Sequence, residues 1–488
     1  MDENYRAAQN FDRFGRTFDA AGAPFFDAVK PAAFPEHILR YRNQPAAASI
    51  GLDGLTDNGW CDHFAGFEPL PQNMTTPLAL RYHGHQFQVY NAEIGDGRGF
   101  LFAQMRDGQN RLLDLGTKGS GQTPYSRFGD GRLTLKGGVR EVLATEMLEA
   151  LGVYTSKTLS LVETGEALER HDEPSPARSS VLVRLSHSHI RFGMFQRLAF
   201  EKDEKAIAAL VDYCIEEFYP ERASLDGDAR VSGFFAGVTA RAASMAAQLM
   251  AAGFVHGVLN TDNMNITGEC FDYGPWRFAP RVDARFTAAY FDEGGLYAYG
   301  RQPAAIAWNV ARLGDCLAQI TNIEALNEVL QSYGPHYEGA LCEHVFARLG
   351  LARQGGDDGE FVNQWFSWMA TSHAPLEQVF FDWFGGHASK MRAKQSPAKE
   401  FYARGDFGPL NEKICAMVPA DAGRLEHDYF RGDTPCTMLI EEVEAIWDPI
   451  ARDNDWTAFN AKLDAIAQMR KAYGFNASEY ARFGPNAG

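Results

Sequence analysis

Two kinds of apolar periodicity divide the 488-residue chain, and this division is the strongest limit on how it can fold. Between residues 81 and 195, alternating apolar positions predict strands, including a hairpin that turns at Asp107-Gly108. One amphipathic helix at 139–151 interrupts these strands. From about residue 196 onward, apolar residues recur at helical spacing, most clearly over 230–252. The chain is therefore predicted to be an α+β protein with two lobes.

Three stretches follow from this division. Residues 1–80 are rich in proline, glycine and aromatic residues and have few periodic runs, which predicts an irregular wrap over the first lobe. Residues 81–195 are predicted to form a mixed strand-and-helix lobe. Residues 196–488 are predicted to form a larger, helical lobe.

Charge and cysteine content argue against several classes of protein. The formal net charge is −17, and because an acidic chain repels phosphate backbones, we expect no nucleic-acid partner. The seven cysteines are scattered and form no C-x-x-C pair, which argues against a zinc site and a disulfide framework. Neither a signal peptide nor an apolar stretch long enough to span a membrane is visible. We expect a soluble, cytoplasmic protein with no membrane partner.

A glycine-rich segment, "IGDGRGF", begins at residue 94 and could approach an anion. Gly95 and Gly97 would let backbone amides come close to it, and Arg98 would add charge, although most such segments are ordinary turns. The tetrapeptide Gly-Asp-Gly-Arg recurs at 129–132. Between the two copies, Lys118 ends a predicted strand, where it is either a solvated lysine or a point charge for phosphate oxygens.

Three further charged residues have both a structural and a functional interpretation. Glu141 lies in the first turn of the predicted 139–151 helix, where a carboxylate favours the helix N-terminus. Alternatively, it orients Lys118, as the helix glutamate does for the strand lysine of protein kinases. Arg184 and Arg191, in "VRLSHSHIR", are either surface arginines or planar donors to a phosphate chain.

The segment "HGVLNTDNMN", residues 256–265, nearly matches the phosphotransfer loop H-R-D-L-x-x-x-N. His256 and Asn263 are in register, but Val258 occupies the position of the aspartate base. Asp262 either replaces that base or caps a turn. Nine residues after Asn263, Asp272 begins "DYG", and the two side chains would supply hard oxygen ligands for Mg²⁺.

Two H-x-H pairs lack a surrounding set of further metal ligands in the sequence. We therefore interpret them as packing and hydrogen-bonding residues rather than as a metal site. They comprise His83, His85, His187 and His189.

The order of these motifs is more specific than any one of them. A glycine-rich turn, a strand lysine, a helix glutamate, a His-loop-Asn segment and an Asp-aromatic-Gly segment follow one another. In this order, and in the blocks "YHGHQF", "KGSGQTPYSRFGDGR" and "HGVLNTDNMNITG", the chain resembles the selenoprotein O family of protein-kinase-like nucleotidyltransferases. The resemblance covers about residues 82–313.

The resemblance implies a protein-kinase-like fold that binds ATP in a reversed orientation. It implies transfer of AMP to Ser, Thr or Tyr hydroxyls of target proteins, with release of diphosphate. By motif, Asp262 would be the catalytic base, Glu141 would orient the lysine, and Asn263 and Asp272 would hold Mg²⁺ or Mn²⁺. The implied ATP-binding residues are Gly95, Gly97, Arg98, Lys118, Asp130, Gly131, Arg184, Arg191 and Asp272.

Other functions stay open at this point. Family members under redox control pair a cysteine near the C-terminus with one after the D-Y-G. The C-terminal segment "EYARFGPNAG" has no cysteine, so we do not expect redox gating. An ATP-dependent kinase and a non-catalytic nucleotide-binding pseudokinase are the alternatives to an adenylyltransferase, and UMP transfer from UTP is a variant of it.

Overall fold

The computed structural model describes residues 3–171 and 173–475. Its main sheet has the strand order β2-β4-β7-β8-β11-β10-β3, with β1 paired to β7 and β9 paired to β11. Two further pairs, β5–β6 and β12–β13, form separate small sheets. The strands are β1 (Ala7–Ala8), β2 (Phe26–Ala28), β3 (Ile38–Arg42), β4 (Leu78–Leu80), β5 (Gly84–Gln86), β6 (Val89–Asn91), β7 (Leu101–Arg106), β8 (Leu112–Lys118), β9 (Leu133–Thr134), β10 (Lys157–Leu168), β11 (Ala177–Ser186), β12 (Phe254–Val255) and β13 (Arg277–Phe278).

Helices make up most of the described chain after β11. They are α1 (Asn10–Phe18), α2 (Gln44–Ser49), α3 (Asp57–Phe64), α4 (Leu135–Ala150), α5 (Phe192–Glu201), α6 (Glu204–Phe218), α7 (Gly227–Ala251), α8 (Gln302–Leu317), α9 (Ile323–Gln331), α10 (Tyr333–Arg348), α11 (Asp358–Ser372), α12 (Leu376–Trp383), α13 (Lys390–Gln395), α14 (Lys399–Tyr402), α15 (Gly408–Ala416), α16 (Ile440–Asp453) and α17 (Thr457–Tyr473). The predicted mixture of an antiparallel sheet and many helices is confirmed.

The first 80 residues are more regular than their sequence indicated. They contribute four strands to the main sheet and three helices, so the expectation of an irregular wrap is wrong for their secondary structure. The strands are two to five residues long, too short to show a period. They are ordered because each pairs with a longer strand or a neighbour in the sheet. The division at residues 80 and 195 stays a prediction.

The central strands carry the residues that matter for the site. The predicted hairpin is confirmed as β7 and β8, which run antiparallel on either side of Asp107-Gly108. Strand β11 pairs with the other edge of β8 and sets Arg184 opposite Gly116 and Leu182 opposite Lys118. Alternate residues of a strand point to opposite faces. Val183 and Leu185 therefore enter the apolar core while Arg184 faces the other way.

Helix α4 begins earlier than the sequence pattern indicated. The Thr134 hydroxyl accepts a hydrogen bond from the Gly137 amide, which starts the helix at Leu135 rather than near Val139. Gly138 allows the helix to approach the sheet, because a β-carbon there would lie 2.4 Å from the Leu161 side chain. Glu141 is consequently in the second turn, and its interpretation as an N-terminal helix charge is wrong.

The long helix α7 organises the helical part. Its buried face packs against α8 and α10, and the helix ends at Ala251, two residues before Gly253, whose φ of +66° prevents its continuation. Strand β12 follows immediately, and a short 3₁₀ turn at Thr261–Asn263 comes after it. The apolar core behind α7 therefore fixes the start of the segment that contains Asp262.

Two sequence-based expectations concern membranes and redox control. Within residues 3–171 and 173–475, no helix is both long and apolar enough to cross a bilayer. All seven cysteines are free thiols. The segment 479–488, on which the redox expectation partly rests, lies outside the described residues.

Trp60 tests whether the first 80 residues are part of the main core. It is fully buried, donates a 2.8 Å hydrogen bond to the Ser160 hydroxyl of β10, and lies beneath the Arg42 guanidinium. We expect Trp60→Ala to lower the free energy of unfolding by about 3–5 kcal/mol, measured by urea denaturation, because it leaves a large cavity. Asp62→Ala, an exposed change on the same helix, should stay within about 0.5 kcal/mol of the parent. Equal stability of both variants would contradict this packing.

Candidate active site

A cleft of about 840 Å³ opens between the main sheet and the loops that follow α7. This volume lies within the range of small-molecule sites. Eleven of the twelve residues predicted from sequence line it, and the twelfth, Glu141, is buried behind Lys118. The eleven are Gly95, Gly97, Arg98, Lys118, Asp130, Gly131, Arg184, Arg191, Asp262, Asn263 and Asp272.

The carboxylate of Asp272 is the centre of the charge arrangement. Arg184 Nη1 and Arg191 Nη1 each lie 2.5 Å from one of its oxygens, and Lys118 Nζ lies 3.7 Å away. Burial by itself would raise the pKa of Asp272, but these three cations hold it well below its usual range. Neither arginine is a surface residue, because both are almost fully buried.

Lys118 and Glu141 form a buried ion pair. Strand β8 ends at the lysine, and the second turn of α4 brings the glutamate over it. Glu141 thus holds the ammonium group close to Asp272 and beside the cleft. This is the geometry expected for a lysine-orienting glutamate.

The first glycine-rich turn is fastened by Asp96, a residue that the sequence analysis passed over. Its carboxylate accepts a 3.0 Å hydrogen bond from the Leu80 amide and lies 3.3 Å from His189 Nε2 and 3.4 Å from Arg191 Nη2. Gly95 leaves room for Tyr125, because a β-carbon there would lie 2.4 Å from its ring. The turn is therefore linked directly to Arg191. Only the repeated Gly-Asp-Gly-Arg tetrapeptide could have drawn attention to Asp96.

The second copy of the tetrapeptide lies at the outer rim of the cleft. Asp130 is exposed, lies 2.8 Å from the Arg170 guanidinium and accepts the Arg132 amide. Gly131 has a φ of +70°, and a β-carbon there would come within 2.3 Å of Gly121. Only glycine fits this contact without displacing the backbone. Phe128, which directly precedes this tetrapeptide, is fully exposed.

Asp262 lies in the 3₁₀ turn and lines the cleft. Its Oδ1 atom is buried and has no hydrogen-bond partner within the described structure, while its backbone oxygen accepts a 2.8 Å hydrogen bond from Arg191. Burial raises the pKa of this carboxyl to about 6. Asp262 therefore lines the same cleft as Asp272 and has one carboxylate oxygen, next to Gly84, without a partner in the described structure.

Val258 and Asn263 keep the loop in shape. The Asn263 amide nitrogen donates a 2.9 Å hydrogen bond to the Val258 carbonyl, which leaves Oδ1 as the remaining acceptor of that side chain. With the ionised Asp272 carboxylate, this provides two hard oxygen donors of the kind that Mg²⁺ prefers. The donor chemistry fits a divalent cation whose other ligands would be phosphate oxygens and water. No cluster of three or more His, Cys, Asp or Glu residues suited to a metal occurs within 3–171 and 173–475.

The four histidines of the H-x-H pairs each have a partner within the protein. His83 contacts the Tyr90 hydroxyl, His85 contacts the Gln196 amide and His187 contacts Glu269. His189 contacts Asp96 and lines the cleft, so it belongs to the site more closely than its sequence pattern indicated. A β-carbon at Gly116 would lie 2.5 Å from the His189 ring.

The β5–β6 hairpin holds the loop that carries Asp262. The His85 amide donates a 2.7 Å hydrogen bond to the Thr261 hydroxyl, and the Phe87 amide donates a 3.0 Å bond to Asn260 Oδ1. The Thr261 hydroxyl in turn donates to Gln196 Oε1. Both residues preceding Asp262 are therefore fixed by side-chain bonds, a role that the sequence analysis did not predict for this segment.

Comparison with known proteins agrees with this geometry. Residues 11–467 match the family described as protein adenylyltransferase SelO. The chain belongs to the SelO family. It is 46% identical over 471 residues to a relative named protein nucleotidyltransferase YdiU from Trichodesmium erythraeum, which spans 92% of this chain and 96% of the relative. Relatives with the same name from Synechocystis sp. and Gloeobacter violaceus are each 42% identical, and cover 91% and 93% of this chain and 95% and 94% of their own lengths.

Membership of the SelO family confirms the prediction of a nucleotidyltransferase enzyme. The match extends well beyond the 82–313 region in which the resemblance was visible by motif. The matched region includes most of the first 80 residues, whose strands belong to the main sheet.

The Lys118–Glu141 pair allows catalytic and structural roles to be separated. Lys118→Met should lower the free energy of unfolding by about 3–5 kcal/mol, because it leaves Glu141 as an unpaired buried charge. It should also reduce nucleotidyl transfer by about 10²–10³-fold through the loss of a charge donor. The double variant Lys118→Met/Glu141→Gln should regain most of the stability and none of the activity.

Urea denaturation and initial rates of transfer provide the two measurements. Recovery of activity in the double variant would mean that Lys118 supports only the fold. Full stability of the single variant would contradict the buried pair.

Proposed function

We propose that this chain transfers AMP from ATP to Ser, Thr or Tyr hydroxyls of target proteins and releases diphosphate. The observation that carries the proposal is the pairing of two features in one cleft: three cations gathered around Asp272, and an unpartnered carboxylate oxygen on Asp262. The cations suit a polyphosphate, and the carboxylate suits a proton acceptor.

The step proposed here is a displacement at the α-phosphorus. The acceptor oxygen forms a bond to that phosphorus as the bond from it to the oxygen bridging the α- and β-phosphorus atoms breaks, and diphosphate leaves with the bonding electrons. The hydroxyl proton passes to the Asp262 carboxylate. A base with a pKa near neutrality is effective in this role and contributes about 10²–10⁴-fold.

We infer the orientation of ATP from how deeply the cationic side chains of the cleft are buried. Lys118, Arg184 and Arg191 are buried, whereas Arg98 is exposed at the mouth of the cleft. A triphosphate has most charge at its γ end, which these buried cations would neutralise. The α-phosphate would then lie nearer the opening and Asp262. This is the reversed orientation, and we propose it together with a kinase-like, two-lobed arrangement.

A divalent cation and the cationic side chains of the cleft would together stabilise the negative charge of the phosphate groups. Asn263 and Asp272 would hold Mg²⁺ or Mn²⁺, and the ion would neutralise charge on the phosphate oxygens when bound. Arg184 and Arg191 already bind both Asp272 oxygens, so they orient this carboxylate as well as contacting the nucleotide. The roles proposed for Gly95, Gly97, Asp130 and Gly131 are close backbone approach and rim contacts.

Ordinary kinase activity is the main competing proposal. It requires a base at position 258, and Val258 cannot accept a proton. A non-catalytic scaffold would not require the unpartnered, buried oxygen of Asp262. Both observations favour AMP transfer. Transfer of UMP from UTP would follow the same displacement at the α-phosphorus and is a variant of this proposal.

The position of a radioactive label distinguishes these proposals. We expect the wild-type protein, with Mg²⁺ or Mn²⁺ present, to label protein acceptors or itself from α-³²P-ATP and not from γ-³²P-ATP. Label from γ-³²P-ATP alone would establish a kinase. ATP binding without transfer of either label would favour a scaffold. Parallel incubation with α-³²P-UTP measures the nucleotide preference.

Asp262 should be essential for the chemical step. Asp262→Asn preserves the size of the side chain but removes the base, so we expect AMP transfer to fall by about 10²–10⁴-fold with ATP affinity largely kept. Mass spectrometry of the acceptor and calorimetric titration with ATP provide the two measurements. A variant that retains full activity would exclude Asp262 as the base.

Val258→Asp is the matched counterpart of that variant. If ATP binds in the reversed orientation, a carboxylate at position 258 should not create kinase activity, since the γ-phosphate would lie far from an acceptor hydroxyl. A phosphate adduct gained by Val258→Asp would contradict the reversed orientation.

A further inference from the structure

A band of exposed apolar side chains lies beside the candidate active site. Val89 is 70% exposed and Tyr290 87% exposed, and neither position is explained by packing of the core. Surface apolar residues that occur singly need no explanation, but contiguous ones commonly mark an interaction site. We name the band the apolar strip. Its exposed members are Val89, Phe200, Tyr290 and Phe291, and the half-buried Phe87 and Tyr90 lie against them.

Ring contacts join the members of the strip. On one side of the hairpin, the Tyr90 ring stacks on Phe200 with centroids 5.6 Å apart. On the other side, Phe87 lies 5.9 Å from Phe291, which lies 5.2 Å from Tyr290. Successive strand residues point to opposite faces, so Val89 lies on the hairpin face of its pair partner Gln86, which lines the cleft, and Tyr90 lies on the other face. The strip thus draws its members from three separate chain segments on the two faces of the hairpin.

The hairpin at the middle of the strip turns at Phe87 and Gln88, whose φ angles of +50° and +63° are those of a two-residue hairpin turn. Few residues other than glycine adopt this conformation. The outer edge of β6 pairs with no strand of the described chain. An extended segment of another protein can lie along such an edge.

The loop of the proposed base is bonded to the hairpin turn and to the segment that follows Phe291. Asn260 Oδ1 accepts hydrogen bonds from the Phe87 amide and, at 2.7 Å, from the Tyr297 hydroxyl. The turn that contains Tyr290 and Phe291 is held by Asp292, which accepts the amides of Leu296 and Tyr297. A β-carbon at Gly84 would lie 3.2 Å from Asp262 Oδ1. The hairpin that carries Val89 thus packs against Asp262, a residue of the cleft wall.

We propose that the apolar strip docks the acceptor protein. The fitting partner is an extended segment that carries an apolar or aromatic side chain close to its acceptor hydroxyl. That side chain would cover the strip while the hydroxyl reaches Asp262. This inference rests on the proposed transfer of AMP, and it adds the class of acceptor that the enzyme selects.

The test uses a position-scanning library of peptides with a central Ser, Thr or Tyr, labelled from α-³²P-ATP by the wild-type protein. We expect apolar or aromatic residues to be preferred at one or two positions near the hydroxyl. Val89→Asp and Phe291→Ala should each reduce kcat/KM for the preferred peptide by about tenfold or more, as expected for losing the burial of one large apolar side chain. The KM for ATP should be unchanged.

A peptide that lacks the apolar residue is the internal control, because its labelling should hardly change in these variants. Ile323→Ala, an exposed apolar residue outside the strip, is the matched control variant and should behave as the wild type. Because one enzyme sample labels both peptides, the ratio of the two labelling rates does not depend on the fraction of protein that is folded. A wild-type enzyme that labels the library without apolar preference, or strip variants that keep the preference, would overturn the docking proposal alone. Absence of α-label from every acceptor, the enzyme itself included, would overturn the proposed function and the docking proposal with it.

Discussion

The site depends on one buried anion and the cations that surround it. Asp272 has a positive φ of +51° and a carboxylate bound by Arg184 and Arg191. Removing charges from water is costly, and the arrangement is stable only because each charge has a close partner. Arg184 comes from β11, Arg191 from the residue before α5, and Asp272 from the loop after the 3₁₀ turn. The cluster therefore joins the main sheet to the helical part of the chain at the point where a substrate would bind.

In this cluster the positively charged side chains are held in place, so they need not move to stabilise negative charge in the cleft. Lys118 is held by Glu141, and Arg191 is shared among Asp272, Asp96 and the Asp262 carbonyl. Fixed donors stabilise developing charge better than flexible ones, because they do not have to reorient during the reaction. The same contacts link the glycine-rich turn, through Asp96, to the proposed base. A change at any of these residues would disturb both the glycine-rich turn and the loop that contains Asp262.

The sequence was most informative at motifs in which the chemistry requires a particular type of side chain. Lys118, Glu141 and Asp272 could be predicted because their order along the chain is unusual and each type of side chain is needed for polyphosphate chemistry. The twelve-residue strand β10 was not recognised, because "KTLSLVETGEAL" alternates only over 159–161 and is then interrupted by a polar run that contains Gly165. Asp96 and the β5–β6 hairpin could not be predicted either. Their roles depend on contacts with residues about 90 to 180 positions away, which periodicity does not report.

The hydrogen bonds around Val258 explain why a loop that resembles the kinase loop keeps its shape without an aspartate at this position. His256 contacts the Phe271 carbonyl, and the Asn263 amide is bonded to the Val258 carbonyl. These bonds hold the loop against the segment that presents Asp272, and they require nothing of the side chain at 258. That side chain packs close to Gly274. Two backbone carbonyls thus preserve the shape of the loop whatever side chain stands at position 258, and Asp262 is the one carboxylate in the segment 256–265. Asp262 packs against the β5–β6 hairpin, where a β-carbon at Gly84 would lie 3.2 Å from its Oδ1 atom.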